Sequence, residues 1–265
     1  MTAMLNLAGT YRRDVGASLD RIWENVFDWQ HLDHLHETSF SECRLIEKGR
    51  WGWRVRLTLA GGAPESAQTI ELRADRAAQS YVSTTIEGPG TGTEIRVSLT
   101  KSAPQRTGVT VEFHVPETRP DRLAAIGDAY IKSYGRLWDE DEAMMRSREK
   151  GLASRRRLRS LLPSTIDLGT EDDVRARLPL LFDLAGETFR LVDVNGALVA
   201  HATICPHWLG PLDQAPVVDG TVRCPWHGYI FDIRSGKCTN GHVLNLPLGP
   251  AIIVADGAVR AACIR

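Results

Sequence analysis

Four residues near the carboxyl end constrain this chain more than any others. They are Cys205 and His207 in Cys-Pro-His and, sixteen residues on, Cys224 and His227 in Cys-Pro-Trp-His. Neither pair can enclose a metal centre alone, so two loops must be brought together by a scaffold. Two sulfurs and two nitrogens suit a zinc tetrahedron or an iron–sulfur centre. The surrounding stretch, Ser164 to Arg265, has the texture of a strand-rich scaffold. Ala185-Gly186, Asn195-Gly196, Asp219-Gly220, Ser235-Gly236 and Asp256-Gly257 punctuate it as turns.

The first half follows other periods. A short strand is expected over Thr10 to Val15, then a helix from Leu19 to about Phe27, whose Ile22, Trp23, Val26 and Phe27 share one face. After a His-rich segment, Trp29 to His36, the pattern shifts to period two. Trp51, Trp53, Val55, Leu57 and Leu59 alternate with polar neighbours, and so do the runs around Ile70 and Leu72, Ile95 to Leu99 and Val109 to Phe113. Gly61-Gly62-Ala63-Pro64 and Gly88-Pro89-Gly90 separate them, which predicts an antiparallel meander with one buried face. Leu123, Ile126, Tyr130, Tyr134 and Leu137 keep helical spacing, so a long helix is expected from about Pro120 to Glu149.

Composition bounds the rest. A length of 265 residues suits one large or two ordinary domains. A 43% hydrophobic fraction with 25% charged residues excludes a mainly disordered chain. A net charge of −1 argues against a nucleic-acid coat. No apolar run approaches the ~20 residues of a membrane span. Met1 to Tyr11 lacks a basic stretch followed by an apolar core, so no secretory signal is expected. Five cysteines, an odd and scattered set, are not a disulfide scaffold and suit a reducing cytoplasm. Cys43, Cys238 and Cys263 read as small buried hydrophobes, Trp226 and Tyr229 as packing residues, and His114, His201 and His242 as isolated strand or loop residues.

Around the four ligand candidates the sequence is more specific. Cys205-Pro-His-Trp-Leu-Gly-Pro-Leu212 and Cys224-Pro-Trp-His-Gly-Tyr-Ile-Phe-Asp232 resemble the two binding loops of Rieske [2Fe–2S] proteins. The resemblance implies Cys205 and Cys224 on one iron, and His207 and His227 on the other. Gly210 and Gly228 would let backbone N–H groups approach the sulfides. The respiratory members carry a disulfide between the loops, where this chain has Gly210 and Trp226, and a Ser where it has Tyr229. Fewer hydrogen bonds imply a lower potential, as in the ferredoxin and oxygenase types.

The element order of the first half resembles the START-like helix-grip fold, an antiparallel sheet around a long C-terminal helix with a cavity for an apolar ligand. The expected class is thus α+β, with a helix-grip domain at 8–150, a basic linker at 151–165 and an all-β Rieske domain at 166–265. Arg146 to Arg159 holds seven Lys/Arg against one acid and reads as a solvated linker or as a dock for an acidic electron donor. Pro163 should end this element.

In Rieske oxygenases the electrons reach a mononuclear iron held by two His and a carboxylate, with an Asp-x2-His-x4-His signature. Asp28, His31 and His36 fit that spacing, and Trp138-Asp139-Glu140-Asp141-Glu142 resembles the stretch supplying the carboxylate, Asp141 first and Asp139 second. An i, i+5 pair needs a broken or bulged helix to share a face, whereas His31 and His34, at i and i+3, share a face on a regular one. The resemblance implies Fe(II) on His31, His36 and Asp141, with Asp28 coupling it to a cluster His, a contact that often runs between subunits and implies a homo-oligomer. The domain order is the reverse of the family's. Two functions follow from these resemblances. One is an oxygenase that takes electrons from a reductase or ferredoxin and hydroxylates or demethylates a small apolar, aromatic or lipid-like substrate. The other is a non-catalytic carrier or redox sensor with a hydrophobic-ligand domain.

Overall fold

The computed structural model describes residues 4–154 and 164–263. The chain divides into two compact units, Met1–Glu149 and Lys150–Arg265.

The first unit is a seven-stranded antiparallel sheet with helices. In chain order it contains β1 (Asn6–Val15), α1 (Leu19–Phe27), β2 (Phe40–Gly49), β3 (Gly52–Leu59), β4 (Gln68–Asp75), β5 (Ser80–Glu87), β6 (Glu94–Ala103), β7 (Arg106–Val115) and α2 (Pro120–Ser154). The strand order is β1-β7-β6-β5-β4-β3-β2, a meander closed at one edge by the first strand. The expected strand at Thr10 starts earlier, at Asn6, because Asn6 to Val15 pairs along β7 through a bulge between Leu7 and Gly9. Strands β2 and β5 carried no sharp alternation. Their half-buried faces, mixed with charge in β2 and hydroxyls in β5, hide the period.

One face of the sheet holds the core. Val55, Val97, Val111 and Phe113 are fully or almost fully buried there with Ile22 and Trp23 of α1 and Trp138 of α2. Phe113 stacks on Tyr130 at 4.9 Å and meets Tyr134 edge-on at 5.0 Å, which seats α2 against β7. Gly9 and Gly127 bring α2 close to β1, since a Cβ on Gly127 would lie 2.1 Å from the Ala8 carbonyl oxygen. Ser18 caps α1, its hydroxyl accepting from the Arg21 amide. Outside the core, Trp51 lies beneath the Arg73 guanidinium at 5.1 Å.

The second unit is built from β8 (Thr165–Thr170), α3 (Glu171–Ala176), β9 (Leu180–Leu184), β10 (Glu187–Val194), β11 (Ala197–Ala202), β12 (Val217–Val218), β13 (Thr221–Arg223), β14 (Ile230–Asp232), β15 (Ala251–Ala255) and β16 (Ala258–Ala262). Three small antiparallel sheets result: β11-β10-β9, β12-β13-β14 and β15-β16-β8. Apart from α3 and the end of α2, its regular elements are strands, in line with the all-β expectation. Of the basic run, Arg146 and Arg148 pair with Glu142 and Glu24, whereas Arg155-Arg156-Arg157, Arg159 and Pro163 lie outside the described residues. No helix among the described residues is long and apolar enough to cross a membrane.

Candidate functional site

The second unit positions two loops, one after β11 and one between β13 and β14. In the first, the Cys205 amide donates to the Gly210 carbonyl and the Leu209 amide to the Cys205 carbonyl. In the second, the Cys224 amide donates to Tyr229 and the Gly228 amide to Cys224. Each loop thus closes on itself and holds a Cys and a His within one turn. Cys205 and Cys224 are buried and share a thiol hydrogen bond, which holds Cys224 below and Cys205 above the usual thiol range. His207 and His227 meet edge-on at 4.5 Å, each with a buried Nδ1.

This arrangement fits a two-iron, two-sulfide unit. The thiols pair with each other and the imidazoles with each other, two donors of each kind facing one space. Gly210 fits as well, because a Cβ there would sit 2.7 Å from Cys224 Sγ and 3.2 Å from the Trp226 ring. When bound, such a unit carries one electron at a time.

The first unit gathers a second set of donors. Helix α1 ends at Asp28, a single 3-10 turn covers Trp29–His31, and successive turns lead to β2. The break brings His31 and His36 onto one side despite their i, i+5 spacing, with ring centroids 5.1 Å apart. His31 Nε2 and His36 Nε2 reach Asp141 Oδ1 at 3.4 and 3.2 Å. His31, His36 and Asp141 are all buried, and one ligand atom from each lies within 4.8 Å of the others. Among the described residues no other group of three His, Cys, Asp or Glu donors is so gathered.

The outer ring nitrogens face carboxylates. Glu140 Oε2 lies 2.5 Å from His36 Nδ1, and Asp28 Oδ2 lies 3.4 Å from His31 Nδ1 without hydrogen-bond geometry. Asn25 Nδ2 donates to Asp141 Oδ1 at 2.9 Å. Burial pushes Asp141 up, but His36, His31 and Asn25 outweigh it and hold the carboxyl below its usual range. Burial pushes His36 down, but Asp141 and Glu140 outweigh it and hold the imidazole above its usual value.

Asn25, Asp28, His31, His36 and Asp141 line a cavity of about 140 Å³ with Phe40, Trp53, Leu72, Tyr81 and Tyr134, and Glu140 stays behind His36 outside that lining. Of the nearby aromatics, Trp53 and Tyr81 line the cavity, and Phe113 is fully buried core. Asp139 is brought elsewhere, its exposed carboxylate bridging Arg13 at 2.5 Å. His34 stays outside the cavity lining, near Asp33. Cys43, Cys238 and Cys263 are half-buried rather than buried. Burial pushes the Cys43 thiol up to about 12. Sequence reasoning missed Asn25 and Glu140 as partners. Asn25 is the polar residue on the otherwise apolar inward face of α1, and that was its one signal.

Residues 164–246 match the family model of the Rieske [2Fe–2S] domain. Apoptosis-inducing factor 3 of Mus musculus is 46% identical over 46 residues, 17% of this chain and 8% of that protein. The oxygenase component of dicamba O-demethylase from Stenotrophomonas maltophilia is 39% identical over 46 residues, 17% of this chain and 13% of that protein. The ferredoxin component of the p-cumate 2,3-dioxygenase system of Pseudomonas putida is 34% identical over 76 residues, 28% of this chain and 60% of that protein. The chain thus spans less than two thirds of each of these relatives. A START superfamily protein from Mycobacterium smegmatis is 18% identical, covering 52% of this chain and 95% of that one at a TM-score of 0.39. The matched loops contain all four donors described above, and the chain therefore carries a Rieske [2Fe–2S] domain at residues 164–246, following a sheet-and-long-helix body.

Proposed function

We propose that the protein is a Rieske-type non-haem iron oxygenase whose cluster domain follows its catalytic body. The observation that carries this reading is the buried convergence of His31, His36 and Asp141 at the wall of an apolar cavity. Two imidazoles and one carboxylate form the facial set that holds ferrous iron with open positions. A ferrous ion held by His31, His36 and Asp141 would supply dioxygen activation, and a cluster held by Cys205, Cys224, His207 and His227 would supply single electrons.

The chain's own residues do the remaining work. Asn25 orients the Asp141 carboxylate. Asp28 faces His31, and in this reading its carboxylate is the coupling group between the iron site and a cluster histidine. Trp53, Leu57, Ile70 and Leu72 exclude water and bind a small apolar substrate for hydroxylation or demethylation. The electron donor is a reductase or ferredoxin.

Iron counting with electron paramagnetic resonance tests this. The oxygenase reading expects about three Fe per chain and a nitric-oxide-sensitive ferrous signal. Two Fe per chain and no such signal would reject it. The carrier reading is then favoured, and its support is the match to a ferredoxin component over 60% of that relative's length.

A further inference from the structure

A column of rings runs outward from one of the two cluster imidazoles. His207 stacks on Tyr229 with centroids 4.5 Å apart and planes 26° from parallel. The other face of the column continues to His242, stacked on Tyr229 at 3.8 Å and 21°. Tyr229 is buried between two half-buried rings, His207 and His242, and the residue after His242, Val243, stands wholly in solvent. The second imidazole, His227, is buried and lies edge-on to His207.

The stacking is held by the fold. Asn240 Nδ2 donates to the Gly228 carbonyl at 2.9 Å, and its Oδ1 accepts from the Ile230 amide at 3.1 Å. The segment bearing His242 is thereby tied to the loop bearing His227 and Tyr229. Offset stacked rings prefer such spacings, but packing alone asks only for apolar bulk at position 242. What a ring adds there is a continuous path of π contacts from a cluster ligand to the surface. Electron transfer falls steeply with every gap in such a path.

We infer that the His207–Tyr229–His242 column is the route by which an electron crosses between the cluster and an external one-electron partner, with His242 as its surface terminal. The partner class is a reduced flavin, a one-electron donor whose planar ring can approach the half-buried His242 beside exposed Val243. One electron leaves the donor and one ferric ion of the cluster becomes ferrous. No bond forms or breaks, and the column is unchanged at the end. The inference rests on the Rieske domain alone and stands whether or not the first unit holds iron.

The test compares His242→Leu, which keeps bulk without a ring, with His242→Phe, which keeps the ring. Cluster reduction by reduced flavin mononucleotide is followed by stopped-flow absorbance, and the midpoint potential of each protein is measured by voltammetry. The expected result is a several-fold slower reduction in His242→Leu, a near wild-type rate in His242→Phe, and an unchanged potential in both. Equal rates in all three proteins would overturn the inference. So would a slow His242→Phe, a shifted potential that accounts for the slowing, or loss of the cluster from His242→Leu, each of which assigns His242 a structural role.

Discussion

His36 and Asp141 meet across the first unit with Nε2 and Oδ1 3.2 Å apart, both buried, although one lies in a turn before β2 and the other on the far part of α2. In the metal-free protein the two groups pair with each other, and a bound cation would take the place of the proton between them. His36→Ala should therefore lower the iron content by about one Fe per chain while the cluster stays intact. Elemental analysis together with the visible spectrum checks both halves. Full iron content in the variant would remove His36 from the ligand set.

Glu140 should matter without touching the metal. Its carboxylate holds His36 through Nδ1, which leaves Nε2 for the ligand role. Glu140→Gln preserves the shape but not the charge, and should weaken metal affinity by about 10–100-fold. Titration of the metal-free protein with cobalt(II) reads this directly, and an unchanged affinity would show that Glu140 is an onlooker.

Metal-free protein should respond to pH in a defined direction. His36 is held above its usual value, so its contribution to stability is complete below the unfolded value and is lost as pH rises through the folded one. Asp141 is held below its usual range, so its contribution is present above the unfolded value and is lost as pH falls through the folded one. Thermal melting between about pH 5 and pH 9 should show the advantage of wild type over His36→Gln shrinking toward the alkaline end. An advantage that grows with pH would contradict the pairing.

Gly210→Ala should cost the cluster. The added carbon would press on Cys224 Sγ at 2.7 Å, and the Trp226 ring on its other side leaves little room to give way. The variant should fold but purify with reduced visible absorbance and acid-labile sulfide. Normal cluster content would mean the two loops can separate.

Phe113→Ala should destabilise the first unit by about 3–5 kcal/mol, because it empties a fully buried position beneath Tyr130 and Tyr134. Denaturant unfolding measures it. A loss below about 1 kcal/mol would mean that the neighbouring rings collapse into the space.

Much of this was legible in the chain. The extent of α1 follows from Ile22, Trp23 and Val26 on one face, and α2 begins at Pro120, where a proline fits the first turn. The paired Cys/His loops were legible because their chemistry needs those side chains at that spacing. What escaped notice was relational. Glu140 sits inside an acidic run that composition alone assigns to a solvated face, and only the bend after Asp28 turns His36 toward it. The stacking of His242 on Tyr229 was equally hidden, since Asn240 folds that segment back through contacts with no sequence period.

The His31–His36 segment belongs to the connection from β1 to β2, which lie at opposite edges of the sheet, and Asp141 belongs to a helix laid over it. None of the three residues donates to a rung of the β-ladder. Altering them therefore leaves the ladder's own hydrogen bonds in place, so the donor set can be lost or exchanged at a cost in local pairing while the strand order endures.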